Sequence, residues 1–368
     1  MVPYGTRTML FRLLVLSAIA AVSTAQPPPR FNCSSALKCR SLIDYTPPNA
    51  TTIAAVQSLF EVKHLLSFLG ANNLPNDTSP SSPLPASQKI KIPFRCKCGN
   101  GTGLSDKHPI YKVRSGDSLD KIAEITFSRL VTFHQIADAN GIPDPSKITV
   151  GQELWIPLPC SCDEVDGNTV VHYGHLVQPQ SSVSAIAGRY NVSEQTILNL
   201  NGIADAKDLQ AFQVLDIPLQ ACSSVIREDS LDFPFLLSND TYDYTANNCV
   251  MCKCDAVKSW TLECKPSQLK APSQKLSNWS SCPAMECEGG SLVLGNSTSS
   301  GCNTNTCAYA GFSSQTIFTN ISTLNTCPGP SPDDNPNSAS RTVSQSLSYL
   351  VACIHLLAYG LLLIHKQV

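Results

Sequence analysis

The amino-acid sequence predicts an α+β protein. Three tandem β-α-α-β modules stapled by disulfides precede a Cys-rich, disulfide-dense domain. Three observations carry this prediction. A hydrophobic pattern recurs three times in the first half of the chain, and C-x-C pairs punctuate the copies. Beyond Cys222 the long apolar periods give way to Ser, Thr, Asn, Gly and ten cysteines, Cys222 included. A length of 368 residues suits two or three domains.

Both ends read as processing signals. Arg7 and Arg12 precede the apolar run Leu13–Val22, and Ser23-Thr24-Ala25 supplies small residues for cleavage, so residues 1–25 are expected to be a secretory signal peptide. The other end is apolar from Leu347 to Ile364, interrupted by His355 and Gly360. The small residues Asn337–Ser340, a polar spacer Arg341–Ser346 and this tail read as a GPI-anchor signal, with attachment at Asn337 or Ser338 and residues 339–368 removed. The competing reading is a single transmembrane helix ending in the stub His365–Val368, but His355 would be costly in lipid. Either way the functional mass is extracellular. Removing Cys353 from 17 cysteines leaves 17 − 1 = 16, an even set that suits full pairing. Nine sequons agree with that compartment: Asn32, Asn49, Asn76, Asn100, Asn191, Asn239, Asn278, Asn296 and Asn320.

The modules follow in order. Module one, residues 31–95, is a degenerate copy carried by Thr51–Val56, Ala71–Leu74 and Gln88–Pro93. Module two, residues 108–159, is the clearest. Tyr111–Val113 is extended, and Asp117 is the expected N-cap of a helix with Leu119, Ile122 and Ala123 on one face. Thr132-Phe-His-Gln135 is a capping box opening a second helix, which Asn140-Gly141 ends by tolerating a left-handed cap. Glu153–Pro157 is a short strand that Pro157 stops. Module three, residues 170–221, repeats this: Val177, Val183, Ile186 and Ala187 match Val113, Leu119, Ile122 and Ala123, Asn201–Asp205 matches Asn140–Asp144, and Phe212–Pro218 matches Gly151–Pro157.

Cys96-Lys-Cys98 and Cys160-Ser-Cys162 close modules one and two. In an extended C-x-C the Cα atoms lie about 7 Å apart, outside comfortable disulfide range, so these cysteines pair elsewhere. With Cys33 and Cys39 they form a set of six, enough for three bridges across modules too small to be robust alone. A structural zinc site is the alternative, a poor one in an oxidising compartment. Residues 222–330 form the Cys-rich domain. There Cys249-Val-Met-Cys252-Lys-Cys254 reads as disulfide scaffold rather than metal site, and Trp260 and Trp279 as core or cover. A stalk at 331–338 follows.

The chain resembles the plant LysM receptor-like proteins, and among them the chitin elicitor-binding protein group. Tyr45–Thr52, Trp155–Asp163 and Thr245–Cys254 carry the resemblance, together with the ordered C-x-C pattern. The resemblance implies a cell-surface pattern-recognition receptor without its own kinase, binding chitin oligosaccharides (oligomers of N-acetylglucosamine). It would signal in innate immunity through a partner LysM receptor kinase. It also admits a ligand-induced homodimer. It further implies the pairs Cys33–Cys98, Cys39–Cys162 and Cys96–Cys160. Two rival readings are a peptidoglycan-binding LysM receptor-like protein and a non-signalling wall or adhesion protein.

In a β-α-α-β unit the loop after the first strand and the loop before the last lie side by side and form a shallow groove. In module two these lips are Arg114–Ser118 and Asn140–Ser146. The candidate binding residues are therefore Ser115, Gly116, Asp117 and Ser118 with Asn140, Gly141, Ile142, Pro143 and Asp144. For Gly116 and Asp117, turn and cap chemistry is the alternative role. Aligning module one places Asn49 opposite Ser115 and Asn76 opposite Asp144, so glycans should close its groove. Module three lacks the Gly-Asp pair at Gln178–Ser181 and ranks second.

Catalysis has no visible constellation. Neither G-x-S-x-G nor H-E-x-x-H occurs, Ser267–Lys270 is an isolated S-x-x-K, Gly99–Gly103 contains a sequon, and no carboxylate pair is recognisable. His172 and His175 read as core or surface rather than metal ligands. No cofactor or metal is expected. Lys+Arg 26 against Asp+Glu 28 gives no electrostatic footprint for nucleic acid.

Overall fold

The structure is a computed structural model that describes residues 31–34, 38–258, 260–269, 279, 281–289 and 292–325. The signal peptide, stalk, anchor signal and Asn278 lie outside these residues. Among the described residues no helix is long and apolar enough to cross a membrane.

Each module runs strand, helix, helix, strand. In module one, Lys38–Tyr45 and Ile90–Gly99 flank α1 (Ile53–Leu59) and α2 (Leu65–Ala71). In module two, Ile110–Lys112 and Glu153–Trp155 flank α3 (Leu119–Lys121), which continues as a π-helical turn over Ile122–Thr126, and α4 (Phe133–Ala139). In module three, Val170–Leu176 and Val214–Cys222 flank α5 (Val183–Tyr190) and α6 (Glu194–Leu200).

The modules are not beads on a string. The Lys38–Tyr45 strand of module one pairs in parallel with the Val170–Leu176 strand of module three, with Leu42 opposite Tyr173 and Ile43 opposite Gly174. Modules one and three thereby share one eight-stranded sheet, while the flanking strands of module two form a two-stranded sheet of their own. Gly174 permits the junction, since a Cβ there would stand 2.9 Å from Ile43 Cγ1. Module two joins module one through side chains and through the short Pro159–Cys160 strand, which pairs with Thr102–Ser105. Tyr45, Phe60, Phe127 and Tyr111 form an edge-to-face series with centroids 4.8, 5.5 and 5.9 Å apart, inside one continuous apolar core. A second core, around Tyr173, Ile186, Ile197 and Ile217 of module three, also takes in Leu42 and Ala71 of module one.

Disulfides Cys33–Cys98, Cys39–Cys162 and Cys96–Cys160 cross between the N-terminal segment and the two C-x-C pairs. Beyond module three, two three-stranded antiparallel sheets form the Cys-rich domain, Tyr242–Thr245/Val250–Lys253/Glu263–Pro266 and Ser297–Ser300/Asn303–Phe312/Ile317–Asn325. Its bridges include Cys222–Cys254, Cys249–Cys282, Cys252–Cys264 and Cys287–Cys307 among the described residues. Cys222 ends the last strand of module three, so its bridge ties the two domains covalently. Trp260 and Trp279 pack partly buried against the domain's core.

Candidate carbohydrate groove

The groove depends on how each module fixes its loops. At the end of the second helix an Asn side chain clamps the returning strand. Asn140 donates to the Ile136 and Trp155 carbonyls, 2.8 Å each, and accepts from the Trp155 N–H at 2.8 Å. Asn201 makes the same three bonds to Ile197 and Asp216, and Asn72 makes them to Phe68 and Lys91. An Asn at this aligned position in all three copies was the sequence signal for a clamp rather than only for a turn. The left-handed residue is the next one: Gly141 (φ +63°), Gly202 (φ +62°), and in module one Asn73 (φ +50°).

On the other lip of module two, Asp117 accepts from the Arg114 N–H at 2.7 Å and the Tyr111 hydroxyl at 2.8 Å. Burial and this carboxylate both raise the Tyr111 pKa, so the phenol stays protonated. The helix cap expected at Asp117 is in fact Ser118, whose hydroxyl accepts from the Lys121 N–H. Asp117 is left to close the turn because that places its carboxylate one residue too early for the cap. Gly116 sits between at φ +85°, with open space where a Cβ would stand. The capping box Thr132–Gln135 forms with both its hydrogen bonds.

Module two thus brings Ser115, Gly116, Asp117 and Ser118 onto one rigid lip and Asn140, Gly141, Ile142, Pro143 and Asp144 onto the other. Ser115, Gly116, Gly141 and Pro143 are exposed, and Ile142 is half-buried against the core. The Asp144 carboxylate accepts from the Ser146 hydroxyl and N–H, and these bonds with Lys147 hold its pKa below the usual carboxylate range. Asn140, by contrast, has its amide committed inside the module, and Asp117 has its carboxylate committed to the turn. Both side chains are therefore spent on fixing the backbone of the lips.

Module one is covered from two sides. The Tyr242 hydroxyl donates to the Leu74 carbonyl at 2.5 Å, and Asn76 Nδ2 donates to the Tyr244 hydroxyl at 2.9 Å, so a strand of the Cys-rich domain lies on the second lip. Arg40 pairs with the buried Asp243 beside it, and Ser67 Oγ donates to the same carboxylate. Beside the first lip, module two supplies Ser128 Oγ to the Thr46 carbonyl and receives the Tyr45 hydroxyl on Thr126. Asn49 and Asn76 are exposed, yet protein alone already engages these lips. Module three is open, but Gln180 takes φ +69° where module two has Gly116, and its side chain stands on the lip.

His172 and His175 do not share a site. His172 Nδ1 faces the Asp216 carboxylate at 2.9 Å and Nε2 the Asp163 carbonyl at 2.8 Å, while His175 Nδ1 faces Asp44 at 2.9 Å. Cys33, Cys96, Cys98 and Cys162 bring their sulfurs within 4.8 Å of one another, but each is oxidised in a disulfide and has no thiolate to offer a metal.

Residues 111–157 and 175–218 match the LysM domain family. Over 94% of this chain and 95% of the relative, the sequence is 45% identical to LysM domain-containing GPI-anchored protein 2 of Arabidopsis thaliana. It is 43% identical to the chitin elicitor-binding protein of Oryza sativa subsp. japonica, over 80% and 82% of the two chains. Among solved structures, the ectodomain of a receptor like kinase aligns with TM-score 0.42 and 20% identity, over 50% of this chain and 94% of that one.

Proposed function

Because this chain belongs to the family of LysM domain-containing GPI-anchored proteins, we propose that it binds oligomers of N-acetylglucosamine through its middle module and signals through a partner LysM receptor kinase. Membership places it on the extracellular face of the plasma membrane, held by a GPI anchor. A receptor-like binding role is supported by the rice relative named a chitin elicitor-binding protein. The observation that carries the ligand is the likeness to the rice chitin elicitor-binding protein across most of both chains.

Geometry supports the choice of module. Module two has an open pair of lips, each held by hydrogen bonds before any ligand arrives, so little ordering cost opposes binding. Sugar rings can pass over Gly116 and Gly141, where no side chain intrudes. The backbone groups of Ser115–Ser118 and Gly141–Asp144 meet acetamido groups, and Ile142 and Pro143 cover apolar sugar faces. Alternate acetamido groups of a β-1,4 chain point to opposite sides, which suits two facing lips. Such a groove binds a ligand it does not enclose, leaving part of a long oligomer for a second protein.

Isothermal titration of the complete ectodomain with chitin octamer and with muropeptides tests this. Heat from the octamer alone is expected, lost on Ile142→Glu and kept on Ile203→Glu. Binding of muropeptides in preference to chitin would overturn the ligand. Loss with the Ile203 variant and retention with the Ile142 variant would move the site to module three.

A further inference from the structure

A second concavity lies where module two meets the strand pair that follows module one, with lining residues distinct from those of the lips. It is an open depression of about 200 Å³ lined by Lys97, Gly99, Asn100, Leu104, Lys107 and Trp155. Lys97 pairs with Leu104 and Gly99 with Thr102 across the Ile90–Gly99 and Thr102–Ser105 strands, so these four share the face that forms the floor. Gly99 has open space where a Cβ would stand, leaving the floor unobstructed. One wall is the half-buried indole of Trp155, fixed by its Nε1–H donating to Ser105 Oγ at 3.2 Å. A floor of Leu104 and the bare backbone at Gly99, beside a hydrogen-bonded aromatic face with polar groups around it, is the chemistry that takes a pyranose ring.

The rim carries its own candidate sugar. Asn100-Gly101 is the two-residue loop of this hairpin, with φ +52° and +77°, the type I′ geometry that an Asn-Gly pair favours. Asn100 is exposed and Asn100-Gly101-Thr102 is a sequon. We propose that this depression is a monosaccharide seat whose occupant is the chain's own glycan, the first N-acetylglucosamine on Asn100, with one face against Trp155. The tight turn holds the attachment point at the rim. The covalent tether supplies a millimolar or higher effective concentration, so a stacking contact too weak to retain a free sugar suffices. The glycan then acts as a packing element between the strand pair Ile90–Gly99/Thr102–Ser105 and module two.

The test uses the secreted ectodomain with each glycan trimmed to a single N-acetylglucosamine. Peptide mass spectrometry should find Asn100 occupied, and NMR should show Overhauser contacts between the Trp155 ring and the sugar ring protons. Asn100→Gln should lower Tm by about 2 °C. The same change should have no effect in a Trp155→Leu background, while Asn320→Gln changes nothing in either. The contacts in the unmutated protein stand even if the Trp155 variant fails to be secreted. An unmodified Asn100, absent ring contacts, or an equal Tm fall in both backgrounds overturns the proposal. So does a shift of the Trp155 indole resonance on adding free chitobiose to the glycosylated Ile142→Glu protein, whose ligand groove is disabled, which would mean the seat is open to an external sugar.

Discussion

Replacing Asn201 with Ala isolates the clamp that shapes each module. Asn201 has φ −98°, which Ala adopts without strain, so only the side chain is lost. Three hydrogen bonds go with it: two donated to the Ile197 and Asp216 carbonyls at 2.8 and 2.9 Å, and one accepted from the Asp216 N–H at 2.7 Å. At about 1 kcal/mol net for each bond, the loss is ~3 kcal/mol. The Asp216 carboxylate also faces buried His172, so any drift of this strand weakens a second contact and pushes the loss upward. With roughly 2–4 °C for each kcal/mol in a chain of this size, Tm should fall by roughly 6–12 °C. Differential scanning calorimetry of the complete ectodomain measures it, with Asn199→Ala as control. Asn199 lies on the exposed face of α6, where it only accepts from Gln195, and its loss should cost under about 0.5 kcal/mol. A fall of less than 2 °C for Asn201→Ala, or equal falls for the two variants, would refute the clamp as the element that fixes the lip.

Three further outcomes are expected. Burial opposes the charged form of His172, but the Asp216 carboxylate and the Asp163 carbonyl outweigh it and raise its pKa. Its contribution is then complete below the unfolded value near 6.5 and lost as pH rises through the folded value; a Tm series from pH 5.5 to 9 should show this loss, and His172→Gln should remove that part of the slope. Gly70→Ala should destabilise by ~1–3 kcal/mol despite a better helix residue, because its Cβ would overlap the Tyr242 carbonyl; faster protease cleavage between modules and Cys-rich domain, alongside a lower Tm, is the readout. Phosphatidylinositol-specific phospholipase C should release the protein from membranes, and a protein that stays bound until detergent is added, with His365–Val368 intact, would show a spanning helix instead.

What could be read from the sequence was local. The capping box Thr132–Gln135, the alternation through Leu154 and Ile156, and the helical face of Leu119, Ile122 and Ala123 all recur where the pattern put them. Their signals lie within a few residues of the structure they cause, because caps and periodicity act over one or two turns. The lips of module two follow from the same local chemistry, and so does the Gly116 turn. The Asp117 cap fell one residue from Ser118 because both residues can cap and only the built turn separates them.

Pairing between distant segments was decided by the tertiary structure. Nothing in Leu42-Ile43 or Tyr173-Gly174 names the other, since the hydrogen bonds that join modules one and three run through backbone that every residue shares. The closure of module one was assigned to glycans at Asn49 and Asn76, while Tyr242, Tyr244 and Ser128 engage its lips from far along the chain. The repeat therefore determined that three similar grooves exist, since each is built from contacts within some fifty residues. Which groove stays open depended on what packs against it. The Cys-rich domain reaches module one because Tyr242 packs against its core, while the Cys222–Cys254 bridge holds the same domain to the end of module three.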